Sequence, residues 1–236
     1  MRDACSKTGN RPRHFKNGLE DKNSFVYISE HELRFEIFIM NPLLIISKYY
    51  DPSSELYRVL ITHSILVTKK ALDIAAAFQK RHPHNEIDLT FIYEAAMLHD
   101  LGIFRCSAPE IFCAGSAPYI RHGIIGREIL ESEGLPRHAL VCERHTGAGL
   151  SQQNVIQQKL PLPLRDYLPV SLEEKIICLA DRFYSKTPPE LFYEKKLHEI
   201  HRSVREWGPE ILMRFENLCD LLLPDWRDSE CETLVS

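Results

Sequence analysis

The sequence has no excess of positive charge, no Cys-x-x-Cys pair, no long apolar run, no internal repeat and no low-complexity tract. With 29 Lys and Arg against 33 Asp and Glu, the net charge is −4. That removes the broad basic field on which non-specific nucleic-acid binding depends, so a nucleic-acid partner is not expected, while a local basic pocket for a small phosphorylated molecule stays open. Seven cysteines, at 5, 106, 113, 142, 178, 219 and 231, are odd in number and scattered. This argues against a disulfide framework and a zinc ribbon and fits a reducing cytoplasm. The most apolar stretch, IFIMNPLLII at 37–46, is broken by Asn41 and Pro42. It falls short of the roughly 18 residues a spanning helix requires, so no membrane segment is expected. The opening MRDACSKTGNRPRHFKNGLEDKNS lacks an apolar core, and no secretory signal is expected from it.

What is present is an ordinary globular composition, with 44% hydrophobic and 26% charged residues over 236 positions. That is enough chain for one sizeable core and too little for two large domains. Residues 1–24 carry no periodicity, and FVYISEHELRFEIFIM at 25–40 alternates in a way that suits a short β element. Residues 1–39 are therefore expected to be an accessory arm or an over-called start, followed by a main domain at 40–224 and a tail at 225–236.

From Asn41-Pro42, a good N-cap and first-turn pair, the pattern becomes helical. SELYRVLITHSILVTKKALDIAAAFQKR carries an apolar stripe over about seven turns. A second helix is predicted through DLTFIYEAAMLHDLG, with Asp88 as N-cap and Gly102 as terminator. Pro118 and Pro136 open two more, closed by Gly134 and Gly147. Segment 148–170 reads as a loop with at most one short helix from Ser151, and Ser171-Leu172-Glu173-Glu174 as a capping box. Two last helices are predicted at about 190–207 and 209–223, separated by Gly208-Pro209. The core is expected to be all-α.

Several residues of metal-ligand type fall on the inner faces of these helices. His63 lies on the apolar stripe between Leu60 and Leu66, His99 follows Ala95 and Ala96, and Asp181 follows Ile177 and Cys178. A carboxylate or imidazole so placed is costly unless paired or metal-bound. Asp100 adjoins His99, and His122 and His145 stand near the ends of two further helices. Consecutive members of the set 63, 99, 122, 145 and 181 are 36, 23, 23 and 36 residues apart, about one helix per ligand, as a metal site in a bundle core requires.

The pattern H…HD…H…H…D on successive helices resembles that of the HD superfamily of metal-dependent phosphohydrolases, from about residue 55 to 186. AAMLHDLGIF, HGIIGREILESEGLP and SLEEKIICLADRF are similar to its characteristic stretches. The resemblance implies an HD-domain helical bundle. It also implies a site for two divalent transition metals held by His63, His99, Asp100, His122, His145 and Asp181, with Asp100 bridging. Such ligands suit Fe, Mn, Co, Ni or Zn better than Ca. The implied activity is hydrolysis of a phosphomonoester or phosphodiester, of a nucleotide or another small phosphorylated metabolite, by hydroxide bound to the dinuclear site, with His99 and Asp100 at the catalytic centre. One departure is that the Lys which often follows H-D-x-G in the family is Ile103 here, so a phosphate-binding Lys must come from elsewhere or be missing.

Arg121 and Arg144 each precede a ligand histidine and are candidates for substrate phosphate. Adjacent helical residues point about 100° apart, which favours a solvated role for both. His82, His84, His198 and His201 read as surface residues, and Cys142 and Cys178 as packing. Two other functions use the same resemblance: a di-iron oxygenase of the HD fold, and a non-catalytic nucleotide-binding signalling module. Oligomeric state is left open.

Overall fold

The structure is a computed structural model that describes residues 40–224 together with Trp226 and Arg227. The expectations of an accessory arm at 1–39, of a β element over 25–40 apart from Met40, and of most of the tail at 225–236 lie outside the described residues. Within them the molecule is all-α, with one small β ribbon.

Helix α1 (Pro42–Ile46) starts where Asn41 accepts a bond from the Leu43 N–H. Helix α2 (Glu55–Arg81) is capped by Ser54 and buries Val59, Leu60, His63, Val67, Ala71, Ile74 and Phe78 along one stripe. Helix α3 (Leu89–Leu98) is capped by Asp88, as predicted, but it ends at His99 rather than Gly102. The His99-Asp100 pair therefore stands at a helix end.

A 3₁₀ turn at Ile103–Arg105 leads into the ribbon β1 (Ser107–Ala108) and β2 (Cys113–Ala114), paired Ser107 to Ala114 and Ala108 to Cys113. A second such turn at Pro109–Ile111 joins the two strands, and after a third at Tyr119–Arg121 helix α4 (His122–Ser132) begins on a ligand-type histidine, while α5 (Pro136–Arg144) ends one residue before another. Helix α6 (Gln152–Gln157) is the short helix expected from Ser151, closed by reciprocal bonds between Ser151 and Asn154.

Helix α7 (Leu172–Asp181) opens with only half of the predicted capping box. Ser171 accepts from the Glu174 N–H, but the Glu174 carboxylate accepts from the Val170 N–H and pairs with Arg144 instead of turning back to Ser171. The helix predicted over 190–207 is shorter. Pro188-Pro189 forms a 3₁₀ turn, the chain then runs on until α8 (Leu197–Arg205), and α9 (Pro209–Leu222) follows.

The apolar interior has two parts. One gathers the second half of α2 with α3, α7, α8 and α9, around Phe78, Ile92, Ile177 and Phe215. The other gathers α1, the first half of α2, the ribbon, α4 and α5, around Leu60, Leu98, Ile111 and Leu130. Along α2 the change from one to the other falls between Leu60 and Val67, where His63 sits. Among the described residues no helix is long and apolar enough to cross a membrane.

The joint between the His99-Asp100 turn and α4 depends on Gly102. A Cβ there would lie 2.2 Å from the His122 carbonyl oxygen and 2.5 Å from the Gly126 nitrogen. Neither backbone atom can move without displacing α4. Gly102→Ala is expected to destabilise the fold by about 3 kcal/mol, the upper part of the range for overpacking. Gly134→Ala, where φ is +75° but the space is open, should cost only the ~1–2 kcal/mol of left-handed strain. Denaturant unfolding of both variants compares the two; equal losses would show that the close approach at Gly102 is not limiting.

Candidate metal centre

Five helices bring six side chains to the seam between the two apolar clusters. His63 comes from the middle of α2, His99 and Asp100 follow α3, His122 opens α4, His145 follows α5, and Asp181 ends α7. All six are at most 3% exposed. Their donor atoms form two overlapping groups, His63 with His99, Asp100 and Asp181, and Asp100 with His122 and His145, the atoms of each group lying within 4.8 Å of one another.

Asp100 faces both groups with different oxygens. Its Oδ2 lies 3.3 Å from His63 Nε2 and 3.0 Å from His99 Nε2. Its Oδ1 lies 3.5 Å from both His122 Nε2 and His145 Nε2. Asp181 closes the first group, with Oδ1 3.0 Å from His63 Nε2 and 3.5 Å from His99 Nε2.

The outer ring nitrogens show which tautomers these histidines adopt. Nδ1 of His99 is 2.6 Å from the Ala96 carbonyl, that of His122 2.7 Å from Tyr119, and that of His145 2.8 Å from Cys142. A carbonyl oxygen only accepts, so each Nδ1 carries a proton; in the neutral rings of His122 and His145 each Nε2 then presents a lone pair inward, and His99 Nε2 does so once its ring has lost its second proton. His122 Nε2 and His145 Nε2 then face each other at 3.1 Å, two lone pairs that repel unless a cation lies near both. His99 Nε2 and both Asp100 oxygens also lack a hydrogen bond of good geometry among the described residues. Buried acceptors left in this way are expensive. The donor set thus fits divalent metal, and these residues could hold it.

Charge is arranged in the same sense. Burial pushes His122 down to about 3 and also lowers His145, so both rings are neutral near pH 7. For His99, burial pulls downward but is outweighed by Asp100 and Asp181, and the ring is raised to about 9. Burial would raise both carboxylates; Lys186, the strongest opposing charge at each, helps hold them well below their usual range.

Lys186 is the charged residue at this centre that the sequence pattern does not reveal. Its Nζ is 2.6 Å from Asp100 Oδ2 and 3.9 Å from Asp181 Oδ1, on a side chain only 13% exposed. It sits five residues after Asp181, in a turn before Pro188-Pro189, where helix periodicity gives no direction; the one signal for it is the absence of a Lys at 103. Arg182 was missed as well, its Nη2 lying 2.6 Å from Asp181 Oδ2. Tyr119, whose ring stacks on His122 at 4.8 Å, completes the wall.

The two candidate arginines part ways. Arg144 Nη1 is 3.1 Å from Glu174 Oε2, so its guanidinium is engaged in holding α5 to α7. Arg121 is exposed and has no ion-pair partner among the described residues. Cys142 and Cys178 are buried and free. His82 packs on Phe78 with ring centres 4.4 Å apart, and His201 is buried against Glu216 at 2.9 Å rather than lying at the surface.

Added Mn²⁺ at about a hundredfold excess over its dissociation constant should stabilise the metal-free protein by about 2.7 kcal/mol. His99→Ala and Asp100→Asn should each abolish that gain in a thermal unfolding series. A full gain in both variants would place the metal elsewhere.

The HD domain family matches residues 60–185 of the chain. An uncharacterised protein of Methanocaldococcus jannaschii is 32% identical over 152 residues, which cover 61% of this chain and 81% of the relative. A tRNA (cytidine(56)-2'-O)-methyltransferase of Picrophilus torridus is 31% identical over 52% of this chain but only 35% of its own length. Its counterpart from Thermoplasma volcanium is 29% identical over 50% of this chain and 30% of its own. The chain therefore spans about a third of those two enzymes. No solved structure matches significantly. With the family match running from α2 to the turn after α7, where all six converging side chains lie, the chain belongs to the HD domain family.

Proposed function

We propose that this protein is a metal-dependent phosphohydrolase acting on a phosphomonoester or phosphodiester of a nucleotide or another small phosphorylated metabolite, with its catalytic domain at 40–224. The observation that carries the reading is the double role of Asp100, whose two oxygens face two separate sets of imidazoles. On this reading His63, His99 and Asp181 would hold one metal and His122 and His145 the other, with Asp100 available to both. When bound, a pair of divalent ions such as Fe, Mn, Co, Ni or Zn supplies Lewis-acid activation of water and of a phosphoryl oxygen.

The chain's own groups supply the remainder. The neutral rings of His122 and His145, held by backbone carbonyls, keep a fixed donor geometry without reorganising during the reaction. Lys186 puts a full positive charge at the edge of the centre, in the role left open by Ile103, where it can hold a phosphate oxygen and stabilise charge that grows on it. Apolar packing on both sides limits bulk water and keeps that charge effective. Methyl transfer is not carried over from the two tRNA enzymes, because the shared segment is the smaller part of each.

Metal analysis of the purified protein, followed by a phosphoester panel, tests this. Two metals per chain and turnover are expected, with His99→Ala and Asp100→Ala losing both. Lys186→Met should keep its metal while kcat/KM falls by about 10²–10³, the usual effect of removing one transition-state charge partner. Unchanged metal and activity in the first two variants would overturn the site. Oxygen consumption by an iron-loaded protein that hydrolyses no phosphoester would redirect the assignment to an oxygenase of the same fold.

A further inference from the structure

A second feature grows out of the same two segments that carry the ligands. An open cavity of about 440 Å³ is lined by Arg105, five residues after Asp100, and by Arg121, one residue before His122. Between them the ribbon folds back tightly. The Gly115 N–H donates to the Cys106 carbonyl at 2.9 Å and the Ala117 N–H to the Arg105 carbonyl at 3.0 Å. A Cβ at Gly115 would sit 2.2 Å from the Arg105 oxygen. Ser116, on the returning side of the ribbon between Gly115 and Ala117, also lines the cavity, and Phe104 and Ile125 supply apolar wall.

The electrostatics of the cavity are one-sided. No carboxylate lines it. Arg127, Arg137, Arg144, Arg165 and Arg182 each hold a carboxylate, whereas neither Arg105 nor Arg121 has an ion pair or hydrogen-bond partner for its guanidinium among the described residues. Arg105 only leans over the Phe104 ring, at 5.5 Å from its centre. Two like charges opening onto one cavity repel, and a shared anion that takes the forked donors of both relieves that repulsion.

We propose that this cavity is an anion subsite that receives a phosphate group through Arg105 and Arg121, separate from the phosphate position at the metal centre. Its part in the reaction rests on the phosphohydrolase reading; the binding itself does not. The phosphate has two chemical sources, a second phosphate on the substrate or free inorganic phosphate.

Equilibrium dialysis of the metal-loaded full chain against inorganic phosphate at low ionic strength should find two phosphates per chain. Arg105→Gln/Arg121→Gln should retain the one at the metals and weaken the other by roughly tenfold or more, the loss expected for a charge-assisted hydrogen bond. The single substitutions should each lose part, with far-UV circular dichroism confirming that the variants are folded. Phosphate stoichiometry and affinity that are the same in the wild-type protein and the double variant would overturn the subsite whether or not any phosphoester is hydrolysed. Competition by adenosine 5'-monophosphate and adenosine 3',5'-bisphosphate separates the sources. Tighter binding of the bisphosphate, erased in the double variant, identifies a second phosphate on one ligand. Equal binding of the two, with both inorganic phosphates retained in the wild-type protein, identifies free phosphate. Loss of hydrolysis alone, with both phosphates still bound, would count against the phosphohydrolase reading and leave the subsite standing.

Discussion

Two ionised carboxylates lie inside this protein with almost no access to water, and the surrounding architecture is organised around keeping them charged. Asp100 is fully buried and Asp181 nearly so. Isolated, either would take up a proton rather than hold its charge. Four imidazoles, one ammonium and one guanidinium converge on them from different parts of the chain. The apolar core is divided in two at this point because a continuous hydrocarbon interior could not accommodate such a cluster.

That constraint explains where the ligands sit on their helices. Four of the six fall at a helix end or cap: His99, His122, His145 and Asp181. A histidine at such a position can turn its Nδ1 to a carbonyl three residues back, as His99, His122 and His145 do, and this fixes the ring before anything binds. Lys186 lies just beyond a helix end as well, and the ribbon that brings Arg105 near Arg121 follows directly from the turn after Asp100. The functional surface is made of terminations, with the long helix α2 as its backing.

Much of this was legible in the sequence. The apolar stripe of α2, the caps at Asn41 and Asp88, and the inward faces of His63 and Asp181 were all readable, the faces because a helix converts position into direction. The break of α3 at His99 was not legible. Beyond it Gly102 packs closely on α4, a contact distant in sequence. The half-formed capping box at Ser171 likewise reflects the demand of Arg144 on Glu174, which no local motif records. Lys186 escaped because a turn assigns no face, and the ribbon at 107–114 because two-residue strands have too little alternation to read.

The separation of the ligands along the chain has a consequence for chain entropy. His63 and Asp181 are 118 residues apart and meet at a single point. Any ion held jointly by them works as a reversible cross-link, closing a loop that takes in α3, α4, α5, α6 and most of α7. In an unfolded chain a covalent tie of that span would remove about 4–5 kcal/mol of conformational freedom. The centre is thus also a clasp within the bundle: an ion bound there would resist not the fraying of any one helix but the parting of α2 from α7.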